Sequence, residues 1–406
     1  MELRKRFIPA AVTPVFFQDI VSAFKQSKTG PGVESFERKV ARYIGVNGAY
    51  SFTSFMRANY TCLAALKEQD ERKKVILPRY SCPSFAHAIL AAGCSIEYCD
   101  TDPETMSIDI RSLENIDSKD VLALICVNYF GLVNPMEKIA SFCKKNNIYL
   151  IEDLGYALGS EYDNKKTGTF GDFSVLNFQE GKALPVGGGM VTTNNTSLIE
   201  HCISNERKRA KSNYLVPLGY SFFSKPKNYN IFMKYSALAG SNIRKRFSME
   251  DTIRDTKNEY DFIFDASNAF NSVSDFQGHL GMILLDRMED CVSIRYENAQ
   301  KIERLIPENN LASHIKRERK MTKTHYIRYP IRVKSDFRDD LISRMYKKKI
   351  EASSMYTDHG LDIDKELFPG AHCISNELIT LPCHPYLTDD DLSAMENIID
   401  SYVLSD

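Results

Sequence analysis

Two residues carry the chemistry of this chain once their surroundings are considered: an acid that closes one apolar run and a lysine just beyond the next. The first run is Ile148-Tyr149-Leu150-Ile151-Glu152-Asp153. The second is Phe173-Ser174-Val175-Leu176-Asn177-Phe178, followed by Gln179-Glu180-Gly181-Lys182 and then by Gly187-Gly188-Gly189. An apolar run ending in a carboxylate has the form of a buried parallel strand that delivers an acid to the C-terminal edge of a sheet. A lysine amine condenses with carbonyl compounds, and a carboxylate keeps a pyridine nitrogen protonated so that the ring accepts electrons. Alone, Lys182 would be a surface lysine and Asp153 a loop-starting acid or helix cap. Together, at neighbouring strand ends, they are the equipment of a pyridoxal phosphate enzyme, with Lys182 as the Schiff-base lysine and Asp153 as the partner of the ring nitrogen.

The same stretch resembles the sugar aminotransferases of the DegT/DnrJ/EryC1/StrS family, whose pattern is roughly E-D-x-A-[HQ]-A-x-G, then G-D-x-x-x-F-S-F-x-x-x-K, then a glycine-rich segment. Glu152-Asp153 and Lys182 fall on the family's acid and Schiff-base positions, and the resemblance runs along most of the chain. It implies a divergent member with a fold-type I α/β architecture: a large domain with a mostly parallel sheet and a smaller C-terminal α/β domain. It further implies pyridoxal 5'-phosphate as cofactor and a homodimer with a shared active site. The implied reaction moves an amino group from an amino acid such as glutamate to a keto sugar, nucleotide-linked, for polysaccharide or natural-product biosynthesis.

The resemblance also assigns roles one residue at a time. Tyr156 takes the family's His/Gln slot beside the cofactor's phenolic oxygen, with core packing as the plain alternative. Asn177 stands where relatives place a phosphate-contacting serine, and an amide is also a donor. Ser54-Phe55-Met56 replaces S-G-T, so Phe55 and Met56 would offer backbone N–H groups to the phosphate while the threonine hydroxyl is lost. Cys82 replaces the aromatic that stacks on the pyridine ring. Asn271, one position out of register, matches the asparagine that reaches the neighbouring subunit's phosphate, and Ser272 replaces the arginine beside it.

The elements that must position these residues are legible as alternating strands and helices. Helices are expected over 14–27, 35–44, from Ser54 to Leu66, after Pro83 and over 136–145. Strands are expected at 49–53, 74–78, 94–100 and 121–127, a βαβ alternation that gives a parallel sheet. Residues 1–270 form the expected large domain, with an aromatic and basic insertion over about 207–265. Residues 271–406 supply a long helix reaching about Lys301, then one strand-like run at 325–333, two helices and Leu381-Pro382-Cys383-His384-Pro385. Within 214–247, Tyr220, Phe222, Phe223, Tyr229, Phe232 and Tyr235 interleave with cations. This segment could touch a membrane or an acidic substrate; it reads first as a solvated lid or dimer contact, or, through Arg207, Lys208 or Arg209, as a site for a nucleotide diphosphate or other anion.

With Lys+Arg 52 against Asp+Glu 53, the net charge of -1 offers no general attraction to nucleic acid or to a membrane. Ten scattered cysteines without a C-x-x-C pair fit free thiols in a reducing compartment, and no signal peptide is recognisable, so a cytoplasmic location is expected. His359, His372 and His384 lack companions at ligand spacing, so no metal is expected. Two rivals stand beside the aminotransferase: another pyridoxal phosphate reaction on the same scaffold, such as amination of a cyclitol, and a degenerate partner subunit without catalysis.

Overall fold

The structure, a computed structural model, describes residues 6–203, 207–238, 264, 268–306, 311–356 and 363–403. Its centre is a seven-stranded sheet. The strands are β1 (Gly48–Phe52), β2 (Lys74–Pro78), β3 (Ser95–Cys99), β4 (Val121–Val127), β5 (Tyr149–Asp153), β8 (Phe173–Asn177) and β9 (Gly189–Thr193), with the two-residue strands β6 (Glu161–Tyr162) and β7 (Lys165–Lys166) in a side hairpin. The order is β1-β9-β8-β5-β4-β2-β3. Five strands pair in parallel, and β9 runs antiparallel between β8 and β1.

Every residue of β4, Val-Leu-Ala-Leu-Ile-Cys-Val, is buried because helices cover both faces of the sheet. Ile125 and Val127 pack into the core that contains helix Phe55–Lys67, whereas Leu124 and Cys126 join Met136, Ile139 and Cys143 of helix Met136–Lys145. The same alternation acts on β5, where Leu150 and Ile151 belong to opposite cores.

The expected elements are present with end shifts of one to three residues, except in the C-terminal third. The long helix divides into Asp275–Leu285 and Met288–Leu305. The break at Arg287 lets its guanidinium leave the helix axis and bind the buried Asp19 at 2.6 Å. Beyond it lie β10 (Ala312–His314), β11 (Met321–Lys323), β12 (Arg328–Val333) and β13 (Leu378–Pro382). Strands β10, β12 and β13 form an antiparallel sheet where one strand was expected, and helix Pro369–Glu377 is added. Of the aromatic segment, 215–223 and 226–238 are helices, and Arg244-Lys245-Arg246 lies outside the described residues. All ten cysteines are free, and no described helix is long and apolar enough to cross a membrane.

Glu152 tests the alternation on β5. Fully buried, its carboxylate accepts N–H groups from Gly168 (2.9 Å), Phe170 (2.7 Å) and Gly171 (2.8 Å), tying a loop to the sheet. Glu152→Gln puts an amide donor among three N–H donors. It should lower the unfolding free energy by roughly 1–3 kcal/mol in urea titrations while leaving the geometry at Asp153 intact.

Candidate active site

Four strand ends meet at one edge of the sheet. β5 ends at Asp153, β8 at Asn177 and β1 at Phe52, and the antiparallel β9 starts there at Gly189, in register with both Asn177 and Phe52. Since Glu152 faces the far side, Asp153 faces the side of helices Phe55–Lys67 and Pro83–Ala91. Its Oδ1 accepts the Gly155 N–H at 2.7 Å, and its backbone carbonyl accepts from the Asn128 amide at 3.2 Å. The Asn128 oxygen accepts in turn from Asn134, so Asn128 closes the turn rather than facing the site. Burial pushes the Asp153 carboxyl up to about 7, against the opposing pull of the Gly155 N–H and the Lys182 cation.

Lys182 sits in the loop after β8. Its Nζ lies 3.1 Å from the ring centre of Tyr156, a cation–π contact. The Tyr156 ring is buried and leans on Phe130 at 5.3 Å, so it serves both as packing and as the floor beneath the amine. Cys82, the residue preceding helix Pro83–Ala91, lies within electrostatic reach of both Asp153 and Lys182. Burial raises its thiol pKa, and its hydrogen-bond partner is Ser84, so it is a small apolar surface rather than a nucleophile.

On the other side of this edge, Ser54 caps helix Phe55–Lys67 by accepting the Arg57 N–H at 3.2 Å. The Phe55 and Met56 N–H groups are left without an acceptor among the described residues, pointing out of a helix N-terminus. The Phe55 side chain turns into the core, edge-on to Phe85 at 5.3 Å, so only its backbone faces the site. A Cβ on Gly189 would stand 2.8 Å from the Phe55 Cα, which explains a glycine where β9 meets this turn. Asn177 is nearly buried beside it, its Oδ1 accepting the Gln179 N–H at 3.0 Å. Asn271 reaches the same turn through its backbone, its carbonyl accepting the Thr53 N–H at 3.1 Å while its side chain donates to Asn268.

Three features escaped the sequence reading. Arg57 donates to the Thr53 hydroxyl at 2.6 Å and so places a cation beside the open N–H groups; an arginine one turn into a helix carries no distinguishing pattern. Tyr356, buried and at a positive φ of 56°, comes from the C-terminal third into electrostatic reach of Asp153, Cys82 and Tyr156. The third is a buried chain of contacts behind Lys182. The Thr13 hydroxyl donates to the Lys182 carbonyl at 2.7 Å and accepts from Arg295 at 2.7 Å, while Arg295 also contacts His325, which donates to the Leu158 carbonyl at 2.6 Å.

The alternative anion site fares differently. Arg207 pairs with Glu37 at 3.0 Å, and Arg209 bridges Glu34 and Asp275, so both serve the fold. Of the three histidines, His384 is buried against the Pro9 carbonyl, His372 contacts the Ile363 carbonyl, and His359 lies outside the described residues. One trio of metal-ligating types, Glu68, His201 and Cys202, does gather among the described residues. It lies past the far end of helix Phe55–Lys67, where His201 and Glu68 pair at 2.9 Å.

Asp153 yields a pH signature. The folded carboxyl holds its proton to about 7, whereas the unfolded one releases it near 3.8. Across that window the folded chain binds the extra proton, so the cofactor-free protein should lose stability as pH rises, by roughly 1.4 kcal/mol per unit of pKa difference. Asp153→Asn cannot titrate. In urea unfolding the cofactor-free variant should therefore gain on the wild type between about pH 5 and about pH 8.

The chain is similar to several known proteins. The chain is 26% identical over 394 residues to an uncharacterized protein of Methanocaldococcus jannaschii, covering 92% of this chain and 90% of that one. It is 33% identical over 180 residues to the GDP-perosamine synthase of Escherichia coli O157:H7, covering 44% of this chain and 49% of that protein. It is 31% identical over 258 residues to UDP-4-amino-4,6-dideoxy-N-acetyl-beta-L-altrosamine transaminase of Campylobacter jejuni, covering 60% and 65%. The chain thus spans 49% and 65% of the lengths of these last two proteins. In fold it is similar to Helicobacter pylori PseC, an aminotransferase involved in the biosynthesis of pseudoaminic acid, with a TM-score of 0.76 over 99% of this chain and 100% of that one at 20% identity. The profile of the DegT/DnrJ/EryC1/StrS aminotransferase family matches residues 16–400, and the chain belongs to that family.

Proposed function

We propose that this protein is a cytoplasmic, homodimeric aminotransferase that transfers the amino group of an amino acid, glutamate in the first instance, to a nucleotide-linked keto sugar. The observation that carries the reading is the convergence of a buried carboxylate and a lysine amine on one sheet edge, with open helix N–H groups beside them. The named relatives, two of which make or act on amino sugars linked to GDP or UDP, support the substrate class.

The residues fit pyridoxal phosphate, the family's cofactor, which when bound supplies an electron-accepting ring. Asp153 is the acid for the ring nitrogen: a cation there returns the charge that burial opposes. The phosphate would fall to the Phe55 and Met56 N–H groups, the Asn177 amide and the Arg57 guanidinium. Asn271 is the residue offered to the phosphate across the subunit interface. The Tyr156 hydroxyl would donate to the phenolic oxygen, and Cys82 would cover a face of the ring. Lys182 would carry two tasks: its amine would hold the cofactor covalently, and once free it would move a proton at the substrate carbon. Pinning of its backbone by Thr13 leaves only the side chain to travel. We take the chain as a large unit through about 270 and a smaller C-terminal unit.

Borohydride treatment of the cofactor-loaded protein followed by peptide mapping tests the assignment. The added mass is expected on Lys182 and absent in Lys182→Ala, which should also lose transamination by at least roughly 10⁴-fold. Mass on another lysine, or none in the wild type, would defeat it. Formation of the amine form of the cofactor from glutamate, without any sugar, separates an aminotransferase from other reactions on this scaffold.

A further inference from the structure

The inserted helices leave an apolar face that the reaction does not use. Helix Leu215–Phe223 turns Val216, Pro217 and Ser221 inward, and its Tyr220 hydroxyl bonds the backbone of Thr13. Leu215, Leu218 and Phe222, spaced three and four apart, share the opposite face. They are 77%, 39% and 51% exposed. Ile231 on the following helix and Phe24 on helix Phe17–Gln26 are exposed as well. Phe24 is continuous with this face, its ring meeting Tyr214 edge-on at 5.2 Å. Solitary exposed apolar side chains are ordinary on a protein surface, whereas a row of them on adjoining helices marks a surface that something covers.

Charge decides what covers it. Residues 207–238 contain seven Lys or Arg and no Asp or Glu, in a chain whose net charge is -1. Arg207 and Arg209 are consumed by ion pairs, but Lys211, Lys225 and Lys227 are exposed around the two helices. Lys25 and Lys28 are exposed beside Phe24, with the Lys28 amine 5.0 Å from its ring. The acid of helix Phe17–Gln26, Asp19, is turned inward to Arg287. Apolar side chains rimmed by lysines, with acids withdrawn, match an anionic lipid surface: the hydrocarbon face enters the acyl boundary and the amines stay at the phosphates. A second copy docked about a two-fold axis would oppose the same cations to one another.

We propose that helices 215–223 and 226–238, with Phe24, form a docking face for an anionic membrane surface. No part of the chain need cross the bilayer, and the contact revises the expectation from net charge alone, because the charge that matters is local. Flotation of the cofactor-loaded full chain with vesicles provides the test. It should rise with phosphatidylglycerol-containing vesicles and not with pure phosphatidylcholine, and release at high salt. Lys225→Gln/Lys227→Gln removes two exposed cations without touching the packed face. Each loss should weaken binding about fivefold, the equivalent of ~1 kcal/mol per lysine near the surface. Leu215→Ser/Phe222→Ser, checked for unchanged melting temperature, should weaken it further. Absence of flotation with anionic vesicles overturns the proposal. So does a fall in solution mass of the serine variant, measured by light scattering, which would assign the face to a second copy of the chain.

Discussion

The two-residue period of a β-strand is the constraint on which this structure depends. On β5 it sends two adjacent carboxylates to opposite faces of one sheet. Glu152 is spent on three backbone N–H groups and fastens a loop; Asp153 arrives at the other face with a single N–H and a charge that burial opposes. A register slip of one residue would exchange them, placing the well-satisfied acid where an under-satisfied one is needed. The pairings of Asp153 with Val127 on β4 and Val175 on β8 hold that register from both sides.

Around this choice the site is assembled from backbone at least as much as from side chains. Phe55, a bulky residue at an open helix N-terminus, is accommodated because the ring packs on Phe85 and the N–H stays outward. Gly189 permits the approach of β9 to that turn, and Gly188, at a φ of 94°, shapes the entry to it. Substitutions that look damaging when a motif is compared letter by letter are therefore compatible with the same donor geometry, since helix N-termini supply donors whatever side chains they carry.

Much of this was legible in the sequence, for physical reasons. Strands such as Val121–Val127 are buried on both faces and read as unbroken apolar runs, so the parallel sheet and its order of acid, lysine and glycines emerge from composition and spacing alone. What escaped depends on contacts between residues remote in the chain. The division of the long helix at Arg287 follows from a partner, Asp19, near the other end of the sequence. Strand β13, Leu378–Pro382, was not singled out in the sequence, and it takes its place by antiparallel pairing with β12. Tyr356 had no motif to announce it, and the exposure of Leu215 and Phe222 cannot be read from a segment whose composition suits a core equally well.

The links from Thr13 to Lys182 and Arg295 carry one more consequence. The amine at the centre of the site is anchored by a segment of the chain that joins none of the sheet's strands, and the guanidinium behind it works alongside a His325 that burial keeps neutral. A backbone nick near residue 13 would loosen the Lys182 backbone while Asp153, Tyr156 and Cys82 stay in place, a change invisible to any inspection of those side chains.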